Sequence, residues 1–174
     1  MLRPFLIIGI GGSGGKTLRG LKSVLELRLI QKNWKGGWPK AWQFLHIDTP
    51  VIQDGQEFPA PFLPAENYLG LVATGNTYDT VYESVRHGGR IPNESLADVE
   101  KPLPSPLDVR VPITLGAGQF RAIGRTIAVS KLSKVRDAAD RAIARLNSAD
   151  SRGQLQKIGE LFNATSDAGV ATPI

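Results

Sequence analysis

The chain has no cysteine, and only two histidines and one methionine among its 174 residues. Without cysteine it can form no disulfide and offers no thiolate to zinc or to an iron–sulfur cluster. His46 and His87 alone do not make a transition-metal site, so no metal-ligating residue is assigned. Long apolar runs are missing too. The N-terminal run Phe5-Leu6-Ile7-Ile8 breaks at Gly9, far short of the roughly 20 residues a membrane helix needs. It also lacks a signal-peptide cleavage pattern. No membrane segment and a cytoplasmic location are therefore expected. Blocks of like charge are absent as well. The net charge is +5, but the basic residues are spread over 16–40, 121–145 and 152–157. That distribution fits solvated helix faces, and no nucleic-acid partner is expected. No serine, histidine and aspartate stand at a spacing that argues a catalytic triad. Ser13 lies in a turn without the G-x-S-x-G context, and no catalytic residue is assigned.

What remains is enough for one folded domain. Hydrophobic residues make up 41% and charged residues 21%, which supports a sizeable core. The continuous apolar run at 3–9 predicts a buried strand, and 42–47 (WQFLHI) predicts a second. Between them, Leu18, Leu21, Val24, Leu25 and Leu29 recur at steps of three and four and predict a helix over 15–31. Residues 33–39 (NWKGGWP) read as a turn. Pro50, Pro59, Pro61 and Pro64 mark an irregular surface segment. A short helix is expected over 77–87, with Asn76 as its N-cap, and loop again over 88–108. Residues 50–110 as a whole read as an elaborated connection, of a length usually tied to function. One long helix is expected over 119–147, another helix over 154–163, and the terminal VATPI as the start of a third strand. Alternating strands and helices argue an α/β fold: a Rossmann-like parallel sheet with flanking helices, incomplete within this chain.

The most informative stretch is 5–17, FLIIGIGGSGGKT, with five glycines and a serine in residues 9–15. A strand feeding a glycine-rich turn and a helix N-terminus suits phosphate, because the backbone comes close and the first-turn N–H groups face the anion. Gly9, Gly11 and Gly14 satisfy the dinucleotide pattern G-x-G-x-x-G, with Asp48 where a ribose-binding acid would sit. A P-loop ending at Gly15-Lys16-Thr17 would need glycine where Ile10 stands.

Three segments together carry a family resemblance. Gly9–Lys16 resembles the first phosphate loop of the tubulin/FtsZ superfamily, a run of the type GVGGGGGN. Phe44–Thr49 (FLHIDT) resembles that family's second strand and loop, of the type FIAINTD. Leu115–Arg125 (LGAGQFRAIGR) resembles its third loop and following helix, of the type LGAGANPEVGR. The resemblance is to the divergent bacterial tubulin-like proteins and leaves the 50–110 segment unmatched.

It implies a guanine-nucleotide site for GTP or GDP, with Mg²⁺. Gly11, Gly12, Ser13, Gly14, Gly15 and Lys16 would surround the diphosphate. Asp48 and Thr49 would lie near the nucleotide or its metal, and Ala117, Gly118 and Gln119 would approach the γ-phosphate. Lys16 replaces the family's usual asparagine; either a phosphate contact or solvent suits it. A second loop of the GGGTGSG type does not occur in the chain. Residues 1–174 are therefore read as the N-terminal part of a longer, self-associating GTPase. Alone, the chain is expected to bind nucleotide and hydrolyse nothing. Two alternatives stand beside this: a dinucleotide-binding oxidoreductase fragment, and an interaction module with a vestigial phosphate loop. Trp34, Trp38 and Trp42 are expected to clasp the turn before the second strand. His46 is expected in the core, His87 at a helix end, and Arg121 and Arg125 in solvent.

Overall fold

Ile10 ends a strand and Gly11 begins a helix, with nothing between them. The computed structural model describes residues 2–53, 62–87, 103–110, 112–117 and 120–164. Strand β1 (Phe5–Ile10) passes directly into helix α1 (Gly11–Gln31). The reversal is made by Gly11, whose φ of 69° lies in the left-handed region that glycine enters at no steric cost. The expected helix start at 15 is thus too late. The glycines after Gly11 belong to the first helical turn and not to a loop before it.

Strand β2 (Trp42–Asp48) pairs parallel with β1, Phe5 opposite Trp42 and Ile10 opposite Ile47. Helix α1 ends in a left-handed cap. Asn33 has φ 59°, its N–H donates to Ile30 O (2.9 Å), and the Trp34 N–H donates to Leu29 O (2.9 Å). Those two bonds satisfy the last carbonyls of the helix, and Asn tolerates the conformation. The tryptophans do clasp this turn. Trp34 Nε1 donates to Gly37 O (2.7 Å) and Trp38 Nε1 to Trp42 O (2.6 Å). The Trp42 ring stacks on Phe5 at 5.5 Å.

A third strand, β3 (Tyr68–Gly70), lies inside the segment read as a connection, and follows a 3₁₀ turn (Ala65–Asn67). It pairs parallel with β2, giving the order β1-β2-β3. Helix α2 (Tyr78–His87) follows. Its N-cap is Thr77 and not Asn76. The Thr77 N–H donates to Thr80 Oγ1 and the Thr80 N–H to Thr77 Oγ1, at 3.2 and 3.3 Å, a reciprocal cap. His87 closes the helix as expected, beside Glu83 at 3.3 Å.

After a 3₁₀ turn at Ile113–Leu115, the expected long helix is two: α3 (Arg121–Ser130) and α4 (Leu132–Leu146). At the break Ser130 Oγ donates to Ile127 O (2.8 Å) and the Lys131 N–H takes Ala128 O (3.1 Å). The hydroxyl competes for a carbonyl the helix ladder needs, and the turn tightens. Helix α5 (Ala149–Ala164) starts five residues before the expected point. The expected strand at VATPI and the loop at 88–102 lie outside the described residues.

The side chains of β2 alternate between two layers. Phe44 faces α1, packing with Leu18 and Leu63. Leu45 and Ile47 face the opposite layer, where Val81 of α2 and Ile123 and Ile127 of α3 complete the core. Gln43 Oε1, on that same side, accepts from Arg145 Nε of α4 at 2.9 Å. Helix α5 covers the base of the sheet: Ile158 is fully buried against Leu29, Ala41 and Trp42. The result is three parallel strands between helices, an open α/β sheet consistent with a Rossmann-like tubulin-type domain.

Candidate functional site

The three strands run parallel, so their carboxyl ends lie on one side, where open α/β sheets hold ligands. The first of the expected segments is built there by close packing. An ideal Cβ on Gly14 would lie 2.7 Å from Gly9 C and 2.9 Å from Gly9 Cα. One on Gly9 would lie 2.7 Å from Gly14 O and 2.8 Å from Leu18 Cδ1. Both positions need glycine because the backbones of β1 and α1 touch there. Gly15 is required for another reason: its Cβ would come within 2.7 Å of His46 Nε2 and Nδ1. The glycines thus serve packing as well as conformation, and that packing seats the helix start directly above the strand end.

The N-cap of α1 is Ile10, whose side chain cannot accept a hydrogen bond, and the first turn contains no acidic residue. Its leading N–H groups and the positive end of its dipole are therefore not answered by a capping carboxylate or hydroxyl. Ser13, Lys16 and Thr17 are exposed on this turn and Gly12 is half-buried. Thr17 Oγ1 donates back to Ser13 O at 3.0 Å.

The second segment is its neighbour. Gly9 pairs with His46 and Ile10 with Ile47, so Asp48 and Thr49 emerge beside the start of α1. Asp48 Oδ1 accepts the Thr49 N–H at 2.7 Å, which orients the carboxylate and leaves Oδ2 3.6 Å from His46 Nε2. Thr49 is 6% exposed, and its Oγ1 has no hydrogen-bond partner among the described residues. The Asp48 and Thr49 carbonyls accept the N–H groups of Leu71 and Val72 at 2.9 and 3.0 Å. The loop after β2 is thereby tied to the end of β3.

The third segment is less closely joined. Ala117 packs against the core on the face opposite α1, and its carbonyl accepts the Phe120 N–H at 3.0 Å. Gly116, with φ 134°, turns the chain toward α3. Gly118 and Gln119 lie outside the described residues. Arg121 and Arg125 are exposed on α3.

A cavity of about 650 Å³ lies between the segments that follow β2 and β3, bounded by Val51, Thr74, Asn76, Arg110 and Thr114. A larger one, about 1000 Å³, lies at the other end of the sheet, between Leu2, Pro4, Ser151 and Leu155. It is remote from the glycine turn, because Leu2 and Pro4 lead into the opposite end of β1. His46 lies in the core as expected, 2% exposed; what sequence reasoning missed is that it meets the start of α1. The signal was its place in the alternation of β2: it shares the Phe44 face and therefore points at α1.

A family model described as tubulin like matches residues 6–169. The chain belongs to the tubulin-like family. The match runs from β1 into the residues after α5 and takes in all three segments, Gly118 and Gln119 included. It also takes in 50–110, which the resemblance had left unmatched. In this tubulin-like chain β3 and α2, both inside that stretch, are part of the sheet and core. No curated protein and no solved structure matches the chain. No helix among the described residues is long and apolar enough to cross a membrane.

Proposed function

We propose that this tubulin-like chain binds a guanine nucleotide, GTP or GDP, with its phosphates on the first turn of α1. The supporting observation is the seating of that turn. The Gly9–Gly14 contact brings a helix start with no side-chain cap to the carboxyl end of a parallel sheet. Backbone N–H groups and a helix dipole converging on one point are suited to a diphosphate. In this reading the free leading N–H groups of Gly11, Gly12 and Ser13 face the diphosphate. Gly14 and Gly15 border it where α1 meets β1 and β2, and Lys16 supplies a cation from the exposed side of the following turn. Asp48 and Thr49 border the nucleotide, and Ala117, Gly118 and Gln119 are the segment that would approach the γ-phosphate.

A magnesium ion fits this arrangement as a partner of the phosphates. No group of three or more acidic, histidine or cysteine side chains gathers among the described residues. Mg²⁺ typically keeps several waters and takes one or two carboxylates plus substrate phosphates. Asp48, with one oxygen already oriented by Thr49, is the carboxylate for that role. The ion would supply charge neutralisation. The residues named here bind and orient, and none is given a catalytic role.

Self-association of the full-length protein belongs to the same reading. Among the described residues β1 pairs on one side only, and Ile8 and Ile10 are 46% and 77% exposed. In a sheet read as incomplete, an apolar edge of that kind suits a later strand of the same protein first, so self-association rests on the family resemblance.

Thermal unfolding with added nucleotide tests the reading. A ligand at ten times its Kd stabilises the native state by about 1.4 kcal/mol. GTP and GDP should raise the Tm and NAD should not. A rise with NAD alone would turn the assignment to a dinucleotide.

A further inference from the structure

His46 is 2% exposed on the β2 face that meets α1. Its Nε2 lies 3.0 Å from Gly11 O. A carbonyl oxygen only accepts, so Nε2 carries the proton and Nδ1, in the neutral ring, is bare. Nδ1 is buried and has no hydrogen-bond partner among the described residues. The ring is held on its other sides. The Tyr68 ring meets it edge-on at 5.1 Å, and it fills the space that a Cβ on Gly15 would need. A histidine in β2 and a glycine in α1 are therefore a matched pair.

The consequence lies one peptide away. In a trans peptide the carbonyl of residue 11 and the N–H of residue 12 point in opposite directions. The His46 bond draws the Gly11 carbonyl toward the sheet, so the Gly12 N–H points away from it, out of the turn. Gly11 and Gly12 flank this peptide, and glycines resist rotation least of all residues. Gly11 is the first residue of α1, so the helix ladder also holds its carbonyl. Without His46 this glycine-flanked peptide keeps one restraint in place of two and aims its N–H less firmly at an anion.

We infer that His46 is a positioning residue for anion binding: it locks the Gly11–Gly12 peptide with the Gly12 N–H facing the phosphate. The inference rests on the nucleotide reading, and it names the residue that sets the affinity of that site. Aspartate 48 and the Gly11 carbonyl are the polar groups that face Nε2, at 3.6 and 3.0 Å. Only the carbonyl is within hydrogen-bond reach.

The test uses the whole chain, with GDP and inorganic pyrophosphate as probes, and two variants. In His46→Gln the side-chain amide places an N–H near the position of Nε2. In His46→Leu the bulk is kept and the donor is lost. The ring ¹⁵N shifts of the parent should report an Nε2–H tautomer. His46→Leu should bind both probes at least about tenfold more weakly, the scale of one lost hydrogen bond to a charged group. His46→Gln should recover most of that loss even where its Tm stays as low as that of His46→Leu. An Nδ1–H tautomer, or a His46→Leu variant that binds pyrophosphate as the parent does, would overturn the inference. A parent that binds pyrophosphate but not GDP would overturn the nucleotide reading while leaving the His46 comparison decisive. A parent that binds neither would overturn both.

Discussion

Two glycine-to-alanine substitutions in the same helix should have opposite signs. Gly14 and Gly20 both lie in α1, and by helix propensity alone alanine is preferred at either by up to about 1 kcal/mol. At Gly20 nothing lies within 4 Å of an ideal Cβ, so Gly20→Ala should realise most of that gain. At Gly14 the new carbon would stand 2.7 Å from Gly9 C and 2.9 Å from Gly9 Cα. Carbon atoms settle at about 3.5–4.0 Å, and the obstruction is backbone, which cannot swing aside. Helix and strand must part by about 1 Å, and overpacking of this kind costs about 1–3 kcal/mol. Offset by propensity, Gly14→Ala should be destabilising by about 0.5–2 kcal/mol. The two variants should differ by about 2 kcal/mol, or about 4–8 °C in Tm for a chain of this size. Urea and thermal unfolding followed by circular dichroism measure the difference. A Gly14→Ala protein as stable as Gly20→Ala would refute the close β1–α1 contact, and with it the packing reason for the glycine run.

Other consequences are as direct. Ile127 is fully buried among Leu45, Ile47 and Ile123, and Ile127→Ala should lower the urea-unfolding free energy by about 2–5 kcal/mol. Thr77→Ala removes one side of the reciprocal cap on α2 and should cost about 1 kcal/mol in the same assay; no change would mean that the cap is not formed. Burial raises the Tyr78 phenol above its ordinary value of 10.0, partly opposed by the neighbouring Thr126 side chain. An acid whose folded pKa is raised binds its proton more tightly in the native state. Its contribution to stability is complete below 10.0 and is lost as pH rises from there through the folded value. Tyr78→Phe should flatten that part of the stability–pH curve, and an unchanged alkaline limb would show that Tyr78 does not cause it.

The elements that carry strong periodicity were legible from sequence, and the devices made by single polar atoms were not. The apolar runs at β1 and β2 and the steps of three and four along α1 gave the right elements but not their burial. Strand β1, expected buried, exposes Ile7, Ile8 and Ile10 because among the described residues it pairs on one side only. On α1 Val24 is exposed while Arg19 and Lys22 are buried. Strand β3 has three residues and cannot show a period. The α3–α4 break escaped because Ala128, Leu132 and Val135 stay in phase across it, while the bond that makes it belongs to the Ser130 hydroxyl. The early start of α5 did have a signal: Ser148 Oγ accepts the Ser151 N–H at 3.3 Å, and Ser148 followed by Asp150 is an ordinary N-terminal pattern. At the site, the glycine run was visible as a phosphate-type turn. That Gly9, Gly14 and Gly15 answer to partners in the structure was not, because each partner is set by the strand register. His46 shows the same limit. Alone in an apolar strand it reads as core, and only the facing Gly15 and the Gly11 carbonyl give it a further role.

The central claim is that an anionic nucleotide sits on the first turn of α1. Amide ¹H–¹⁵N spectra recorded during a GDP titration test it residue by residue. The account predicts the largest shifts at Gly11, Gly12, Ser13, Gly14 and Gly15, smaller ones at Asp48 and Thr49, and none at Ser151 or Leu155 beside the cavity at the far end of the sheet. Saturable shifts confined to that far cavity, with the Gly11–Gly15 amides unmoved, would contradict it.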